Sequence, residues 1–201
     1  RPQDALAVVL PVDLRRATLT VPVLLRDGIA SGELRWTLDG RDGPLVRMLD
    51  AGAVLVGKTH LPEFAWSVLG QSPWYGTCHN PAAPGRTTGG SSSGSAAALA
   101  AGLCELALGT DAGCSVRLPS AACATVGLKS QWGLIPLDGV YPLCPTLDTV
   151  GPMARSVEDV ALMWSVLTGR AVPEPRLDGL TVGLLRQPPP LQPDVLVRFT
   201  D

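Results

Sequence analysis

Residues 89–98 read GGSSSGSAAA, and residues 109–117 read GTDAGCSVR. Both stretches place hydroxyl side chains on a glycine-rich backbone, and glycine allows main-chain conformations and close approaches that other residues forbid. Upstream, an apolar run ends in Gly57, Lys58 and Thr59. A lysine and two serines can form a nucleophilic site without histidine, because a neutral amine can replace imidazole as the base. The three stretches together therefore suggest serine-dependent hydrolysis.

Length and composition favour a single globular domain. The 201 residues carry a formal net charge of −2 and are 46% apolar, enough to bury a sizeable core. No basic run indicates binding to nucleic acid or to an anionic membrane. The longest apolar candidate, residues 95–108, is interrupted by Glu105 and is shorter than the ~20 residues that a membrane span needs. We therefore expect neither nucleic acid nor membrane as a partner.

Cysteine and histidine usage predicts neither disulfides nor a metal site. The chain has five cysteines, an odd number, and no C-x-x-C pair, so we expect reduced, packed thiols and a cytoplasmic protein. The two histidines are His60 and His79, and no carboxylates cluster in the sequence. A zinc site is therefore not expected.

The pattern of apolar residues and turn formers predicts strands that alternate with helices. Helices are expected at residues 44–50, 61–66, 95–103, 119–125 and 156–168, strands at 7–11, 19–25, 53–56, 105–108, 126–128 and 180–185, and a long loop at 71–88. The strand at 53–56 is apolar and is expected to be buried. Ser156 and Asp159 resemble a capping box, and Gly169 closes the last helix. Such alternation indicates an α/β fold with a mixed or parallel sheet.

Four blocks resemble the amidase signature family, in the family's order. They are residues 51–66 (AGAVLVGKTHLPEFAW), 80–102 (NPAAPGRTTGGSSSGSAAALAAG), 109–129 (GTDAGCSVRLPSAACATVGLK) and 147–159 (LDTVGPMARSVED). The resemblance implies an α/β fold with a mixed, mostly parallel sheet flanked by helices. It also implies a single domain over residues 1–201 in which the N- and C-terminal parts of the family fold are shortened or missing.

The resemblance implies that Ser115 is the nucleophile. A serine that follows a strand and a Gly-rich loop and precedes a helix exposes its hydroxyl and gathers backbone N–H groups for an oxyanion. The ordinary alternative is a serine in a turn or in a helix cap. By the same resemblance, the backbone of Ala112, Gly113, Cys114 and Ser115 forms the oxyanion hole. Cys114 stands where the family usually has glycine, which bears on substrate range.

Ser91 and Lys58 complete the site that the resemblance implies. Ser91 is expected to follow a cis Gly90–Ser91 peptide bond and to pass the proton of Ser115 to Lys58. Lys58 must be neutral to accept it, and burial favours the neutral amine. The alternatives are a solvated lysine at a strand end and a flexible Gly-Ser linker, although an Ala-rich helix follows that stretch at once.

Several other polar residues lie close to these positions in the sequence. Ser92, Ser93 and Ser95 are interpreted as loop or cap serines, and Ser93 stands where the family usually has glycine. His60 is close to Lys58 in sequence and is not excluded from the site. Asp111, Arg117 and Asp148 are interpreted as charges that hold the loop, with an Arg117–Asp148 pair and separate surface charges as the two alternatives.

A competing motif overlaps Lys58. Residues 52–59 (GAVLVGKT) satisfy the phosphate-loop pattern G-x-x-x-x-G-K-[ST]. The middle residues, Ala-Val-Leu-Val, favour a strand rather than a loop that curls around phosphate. Pro62 would also interrupt a helix that starts at Lys58. Nucleotide binding is therefore disfavoured.

The function that the resemblance implies is hydrolysis of a small-molecule carboxylic amide through an acyl-serine, with no metal or organic cofactor. Two alternatives stay open: the glutaminase component of a glutamyl-tRNA amidotransferase, and a non-catalytic fragment or scaffold. Residues 133–148 (GLIPLDGVYPLCPTLD) look more like free-standing bacterial amidases than that component. If the sheet is incomplete, its unpaired edges favour self-association, so a homo-oligomer is also expected.

Overall fold

A computed structural model describes residues 18–23 (backbone only), 42–73, 75–174, 176, 178–181 and 183. Its helices and strands alternate along the chain. They are β1 Thr18–Val23, α1 Pro44–Asp50, β2 Val54–His60, β3 Gln71–Ser72, β4 Gly76–Thr77, α2 Ser93–Ala100, β5 Leu106–Thr110, α3 Arg117–Ala122, β6 Val126–Gly127, β7 Val150–Ala154 and α4 Val157–Thr168, with a 3-10 turn at Glu63–Ala65.

The main sheet has five strands in the order β2-β1-β5-β7-β6. Strand β1 is parallel to β2 and to β5, whereas β7 is antiparallel to β5 and to β6. Two of these pairings are thus parallel and two antiparallel, and the predicted mixed α/β sheet is confirmed. Strands β3 and β4 form a separate antiparallel pair.

The core lies on both faces of the central strand β5. One cluster joins α1 and α4 to the sheet, and a second joins α2 and α3 to it. The first includes Leu45, Met48, Leu106, Leu108, Ile135, Val150, Met163 and Leu167, and the second includes Ala96, Leu99, Cys104, Ala107, Val116, Cys123 and Met153. Adjacent residues of β5 therefore pack into opposite layers. This packing fixes the position of β5, and the end of β5 leads to the turn that contains Ser115.

Two helices agree closely with the sequence. Helix α1 has the predicted bounds, Pro44–Asp50, and Leu45 and Met48 are buried. Helix α4 begins after Ser156, whose Oγ accepts a hydrogen bond from the backbone N–H of Asp159 at 3.1 Å. It ends at Gly169, which has a φ of 67°. In both cases the signals that start and stop the helix are local.

Other elements differ from their predicted form. Residues 54–56 of the strand predicted as buried at 53–56 belong to β2, which lies at the edge of the described sheet, and Val54 and Leu55 are 47% and 40% exposed. The helix predicted at 61–66 is only a 3-10 turn, because Phe64 and Ala65 take φ values of 52° and 57°. Helix α2 begins two residues earlier than expected, and the predicted loop contains β3 and β4.

Strand β7 is absent from the sequence-based prediction. Its sequence is VGPMA, and glycine and proline disfavour a strand in the middle of a sheet. A Cβ on Gly151 would lie 2.5 Å from the carbonyl oxygen of Leu128, so glycine allows the close approach of the two segments here. The predicted strand at 7–11 lies outside the described residues, as do residues 182, 184 and 185 of the strand predicted at 180–185, whereas residues 180, 181 and 183 are described and are not in a strand. Across the part of the chain that the structure describes, no helix is long and apolar enough to cross a membrane.

Candidate active site

The two Gly-rich stretches meet at the carboxyl end of β5. The backbone N–H of Ser92 donates to the carbonyl oxygen of Ser115 at 3.1 Å, and the N–H of Thr110 donates to Ser92 Oγ at 3.2 Å. Beside this junction lies a small open cleft. It is lined by Ala65, Ser91, Thr110, Ala112, Ser115, Val140, Tyr141, Leu143 and Asp148.

Ser91 lies in the floor of this cleft. The Gly90–Ser91 peptide bond is cis, as the family resemblance implied. Ser91 is buried, and its Oγ has no hydrogen-bond partner among the residues that the structure describes. A Cβ on Gly90 would lie 2.7 Å from the carbonyl oxygen of Ser67, so only glycine fits here without movement. A buried hydroxyl without a partner is costly, and Ser91 Oγ is thus left available to a reacting group.

Ser115 is half-buried in the turn between β5 and α3. Within the described residues, the backbone N–H groups of residues 112–115 donate no hydrogen bond. Free N–H groups beside a hydroxyl are what an oxyanion hole requires. A Cβ on Gly113 would meet no other atom within 4 Å, so the turn is open on that side.

Asp111 holds this turn in place. Its buried carboxylate accepts hydrogen bonds from the N–H of Val116 at 3.1 Å and from Arg117 Nε at 3.0 Å. Arg117 also donates to the carbonyl oxygen of Gly113. Burial raises the pKa of Asp111, but the hydrogen bonds from Arg117 and from the two backbone N–H groups outweigh burial and bring the pKa below its ordinary value. The carboxylate of Asp111 is therefore ionised at neutral pH.

The suggested Arg117–Asp148 pair is wrong, because Arg117 turns back onto Asp111 within its own loop. Asp148 is buried and accepts hydrogen bonds from the N–H groups of Leu143 and Cys144 at 2.9 and 2.8 Å. Both carboxylates thus hold backbone around the cleft, Asp111 at the Ser115 turn and Asp148 at the wall that contains Leu143.

Lys58 is the predicted site residue that the structure does not bring into contact with the others. It lies on β2 with an exposed side chain, and it forms no hydrogen bond to Ser91 Oγ. The expectation that it lies at the end of a buried strand is wrong, because β2 is at the edge of the described sheet. Ser91 and Ser115 therefore share one cleft, whereas Lys58 lies outside its lining on β2.

Sequence reasoning missed part of the site. The sequence analysis did not predict the apolar wall of the cleft, which is formed by Ala65, Val140, Tyr141 and Leu143. The only signal for these residues was that they lie within or next to the sequence blocks that resemble the family. Tyr141 also contacts Phe64, with the ring centroids 6.0 Å apart. Ser93 was interpreted as a loop or cap serine, but its side chain contacts His60. The signal for this contact was that serine stands where the family usually has glycine.

A family model described as Amidase matches residues 34–192. The chain belongs to the amidase family. Over 123 residues it is 48% identical to the A subunit of the glutamyl-tRNA(Gln) amidotransferase of Salinibacter ruber, a match that covers 61% of this chain and 24% of that relative. It is 46% identical over 123 residues to the fatty acid amide hydrolase of Medicago truncatula, covering 61% of this chain and 20% of that one.

A solved structure gives the same result for the fold. The native peptide amidase from Stenotrophomonas maltophilia matches with a TM-score of 0.67 and 33% sequence identity, over 84% of this chain and 41% of that one. The amidase fold predicted from the four sequence blocks is thereby confirmed. This amidase-family chain spans between about a fifth and two-fifths of the length of these three relatives. Within its described residues, no three His, Cys, Asp or Glu side chains are grouped so that they could hold a metal ion.

Proposed function

We propose that this amidase-family protein hydrolyses the C–N bond of a linear carboxylic amide through an acyl-serine intermediate. The observation that carries the proposal is the cleft shared by Ser91 and Ser115, in which the Ser91 hydroxyl has no partner among the described residues. Beside it, the N–H groups of residues 112–115 donate no backbone hydrogen bond within that part of the chain.

The chemistry assigns one role to each group. Ser115 Oγ attacks the amide carbon, and its proton passes through Ser91 Oγ to the neutral amine of Lys58. Backbone N–H groups of residues 112–115 stabilise the oxyanion. The lysinium then returns the proton through Ser91 to the leaving amine, and the C–N bond breaks. Water, deprotonated by the same route, cleaves the acyl-enzyme and releases the acid.

Lys58 has to approach Ser91 for this route to work. A catalytic base acts within roughly 2.6–3.2 Å of the proton donor, and such contacts are often longer before substrate binds. Strand β2 lies at the edge of the described sheet, and the unpaired backbone groups of an edge strand can pair with a second copy. We therefore include a homo-oligomer in the proposal, and the free thiols of all five cysteines support a cytoplasmic location.

The glutaminase component of an amidotransferase is the second candidate. It is supported by the 48% identity to the Salinibacter ruber protein. Against it, the described wall of the cleft is apolar at Ala65, Val140 and Leu143, and the acidic Asp148 is part of the lining. That environment favours an uncharged acyl group over one that carries a carboxylate. The third candidate, a non-catalytic scaffold, is supported by the exposure of Lys58.

Ammonia release by the purified chain separates the three candidates. Hexanamide, benzamide and glutamine would be supplied in parallel, with Ser115→Ala as the matched control. The proposal predicts turnover of the simple amides that is lost in Ser115→Ala. Turnover of glutamine alone would favour the amidotransferase component, and no turnover of any amide by a folded protein would favour the scaffold.

A further inference from the structure

Asp148 is the only charged side chain among the described residues that line the cleft. It is 7% exposed, and its Oδ2 accepts hydrogen bonds from the backbone N–H groups of Leu143 and Cys144. Its Oδ1 has no hydrogen-bond partner within the described part of the chain, and it is not among the fully buried polar atoms that lack one. Oδ1 is therefore the oxygen that stays open to the cleft.

The side chain of Asp148 also lacks a cationic partner, in contrast to that of Asp111. Arg117 donates to both oxygens of Asp111, through Nε to Oδ2 at 3.0 Å and through Nη2 to Oδ1 at 3.1 Å. No such ion pair reaches Asp148 among the described residues, and Lys129 donates instead to the neighbouring Thr149, 3.3 Å from its Oγ1. Buried charges in proteins are ordinarily paired, so a cation that enters the cleft would supply the missing partner of Asp148.

An aromatic ring belongs to the same lining. Tyr141 lines the cleft and is 56% exposed, and Phe64 packs against it with the ring centroids 6.0 Å apart and the ring planes inclined at 43°. The face of an aromatic ring attracts a cation, and the contact with Phe64 restricts the movement of the Tyr141 ring. The rest of the wall is apolar, at Ala65, Val140 and Leu143. A carboxylate oxygen, an aromatic ring and apolar surface together favour a small organic cation over an anion.

We propose that the cleft is selective for amides that carry an ammonium group, and that Asp148 and Tyr141 determine this selectivity. The ammonium group donates a hydrogen bond to Asp148 Oδ1 and lies beside the ring of Tyr141, while the amide carbonyl lies at Ser115. Because the cleft is small, only a few bonds separate the two groups, as in the amide of an amino acid. The inference rests on the proposed function, because it names the substrate class of the same site.

Pairs of substrates with the same shape measure this selectivity directly. Alaninamide differs from 2-methylpropanamide only in that an ammonium group replaces a methyl group, and glycinamide differs from propanamide in the same way. Assays at about pH 6.5 keep the amine mostly protonated, because an α-amino group has a pKa of about 8. We expect kcat/KM to be about tenfold higher or more for the ammonium member of each pair, the effect of one hydrogen bond to a charged group.

Four variants assign the selectivity to its residues. Asp148→Asn keeps an oxygen that can accept the N–H groups of Leu143 and Cys144 but removes the charge, so the kcat/KM ratio within each pair should fall about tenfold. Tyr141→Leu should lower the ratio about threefold, whereas Tyr141→Phe keeps the ring and should retain most of it. Asp138→Asn is the matched control, because Asp138 is exposed and does not line the cleft. In that variant the ratio should equal the wild-type ratio.

Binding to the Ser115→Ala variant tests the selectivity without turnover. NMR titration of this variant should show tighter binding of alaninamide than of 2-methylpropanamide. Asp148→Asn in the same background should remove most of the difference. If Asp148→Asn does not fold, Tyr141→Leu replaces it in both assays and should weaken the preference for the ammonium member.

The outcomes distinguish this inference from the proposed function. If wild-type protein hydrolyses amides but prefers neither member of a pair, the selectivity is overturned and the proposed function stands. If no amide is hydrolysed but the Ser115→Ala variant binds alaninamide more tightly through Asp148, the proposed function fails and the selectivity stands. Equal binding of both members, or a preference that the Asp148 and Tyr141 variants leave unchanged, would overturn the selectivity whatever the turnover.

Discussion

The backbone N–H of Ser92 donates to the carbonyl oxygen of Ser115 at 3.1 Å, and this bond sets the two serines of the candidate site side by side. Ser92 immediately follows Ser91, so the bond ties the Ser91 peptide to the turn after β5. Ser92 Oγ also accepts from Thr110, the last residue of β5. The relative placement of Ser91 and Ser115 is therefore fixed by contacts that do not depend on Lys58.

Lys58 is the residue whose role can be tested with the least risk to the fold. Its side chain is exposed, so Lys58→Ala should change the free energy of unfolding by no more than about 0.5 kcal/mol. If Lys58 is the base, amide turnover should fall by a factor of about 10² or more. Lys58→Arg, which keeps the charge but cannot act as a neutral amine, should be equally slow.

Two outcomes would decide against Lys58 as the base. Near-normal turnover in Lys58→Ala would rule out the Ser-Ser-Lys route. Binding of ATP with an affinity that depends on Lys58 would instead support the phosphate-loop motif at residues 52–59.

Asp111 should contribute more to stability than an exposed carboxylate does. Asp111→Asn weakens hydrogen bonds from Arg117 and from the N–H of Val116, so we expect a loss of about 2–3 kcal/mol in the free energy of unfolding. Asp42→Asn is the matched control, because Asp42 pairs with Arg47 at the surface and should lose less. Urea unfolding measures both, and equal losses would contradict the role of Asp111.

The contribution of Asp111 should also depend on pH with a defined sign. Its pKa in the folded protein is lower than the ordinary value, which is about 3.9 for an unfolded aspartate. The stabilisation is then fully present above that value and is lost as the pH falls through the folded pKa. The stability difference between wild type and Asp111→Asn should be constant from about pH 5 upwards and shrink below about pH 4. A difference that grows on acidification would contradict the ion pair.

The edge that β2 forms in the described sheet should drive self-association. Unpaired N–H and C=O groups at a sheet edge pair readily with another chain, and each lysine on an edge strand opposes this, so a second lysine in addition to Lys58 should oppose it further. Val54→Lys should therefore shift the protein toward monomer in size-exclusion chromatography with light scattering. Val172→Lys is a matched control, because Val172 is 48% exposed and Val54 47% but lies outside the sheet. A wild-type chain that is already a monodisperse monomer would contradict the proposal.

What the sequence predicted well depended on local signals. Helix α1 and helix α4 have their start and stop residues within their own segments, and both were placed almost to the residue. Strand β7 could not be recognised, because Gly151 and Pro152 disfavour a strand, and only its partners on both sides make it one. Local preference is overridden there by packing.

The candidate site was likewise predicted only in part. The family resemblance indicated that Ser91 and Ser115 belong to one site, because their spacing in the sequence does not by itself predict a contact. The partner of Arg117 was mistaken because the turn folds Arg117 back onto Asp111, and loop geometry of this kind is not visible in a pattern of charges. Whether Lys58 is exposed depends on which other segments pack against β2, and the sequence of β2 does not reveal those segments.

The central claim, that Ser115 is the nucleophile of an amide hydrolase, is tested most directly by covalent labelling. A fluorophosphonate forms a phosphorus–oxygen bond to an activated serine with loss of fluoride, and peptide mass spectrometry locates the adduct. We predict a single adduct on Ser115, absent from Ser115→Ala. An adduct on Ser91 or Cys114 with Ser115 unmodified, or a folded protein that takes up no label, would contradict the assignment.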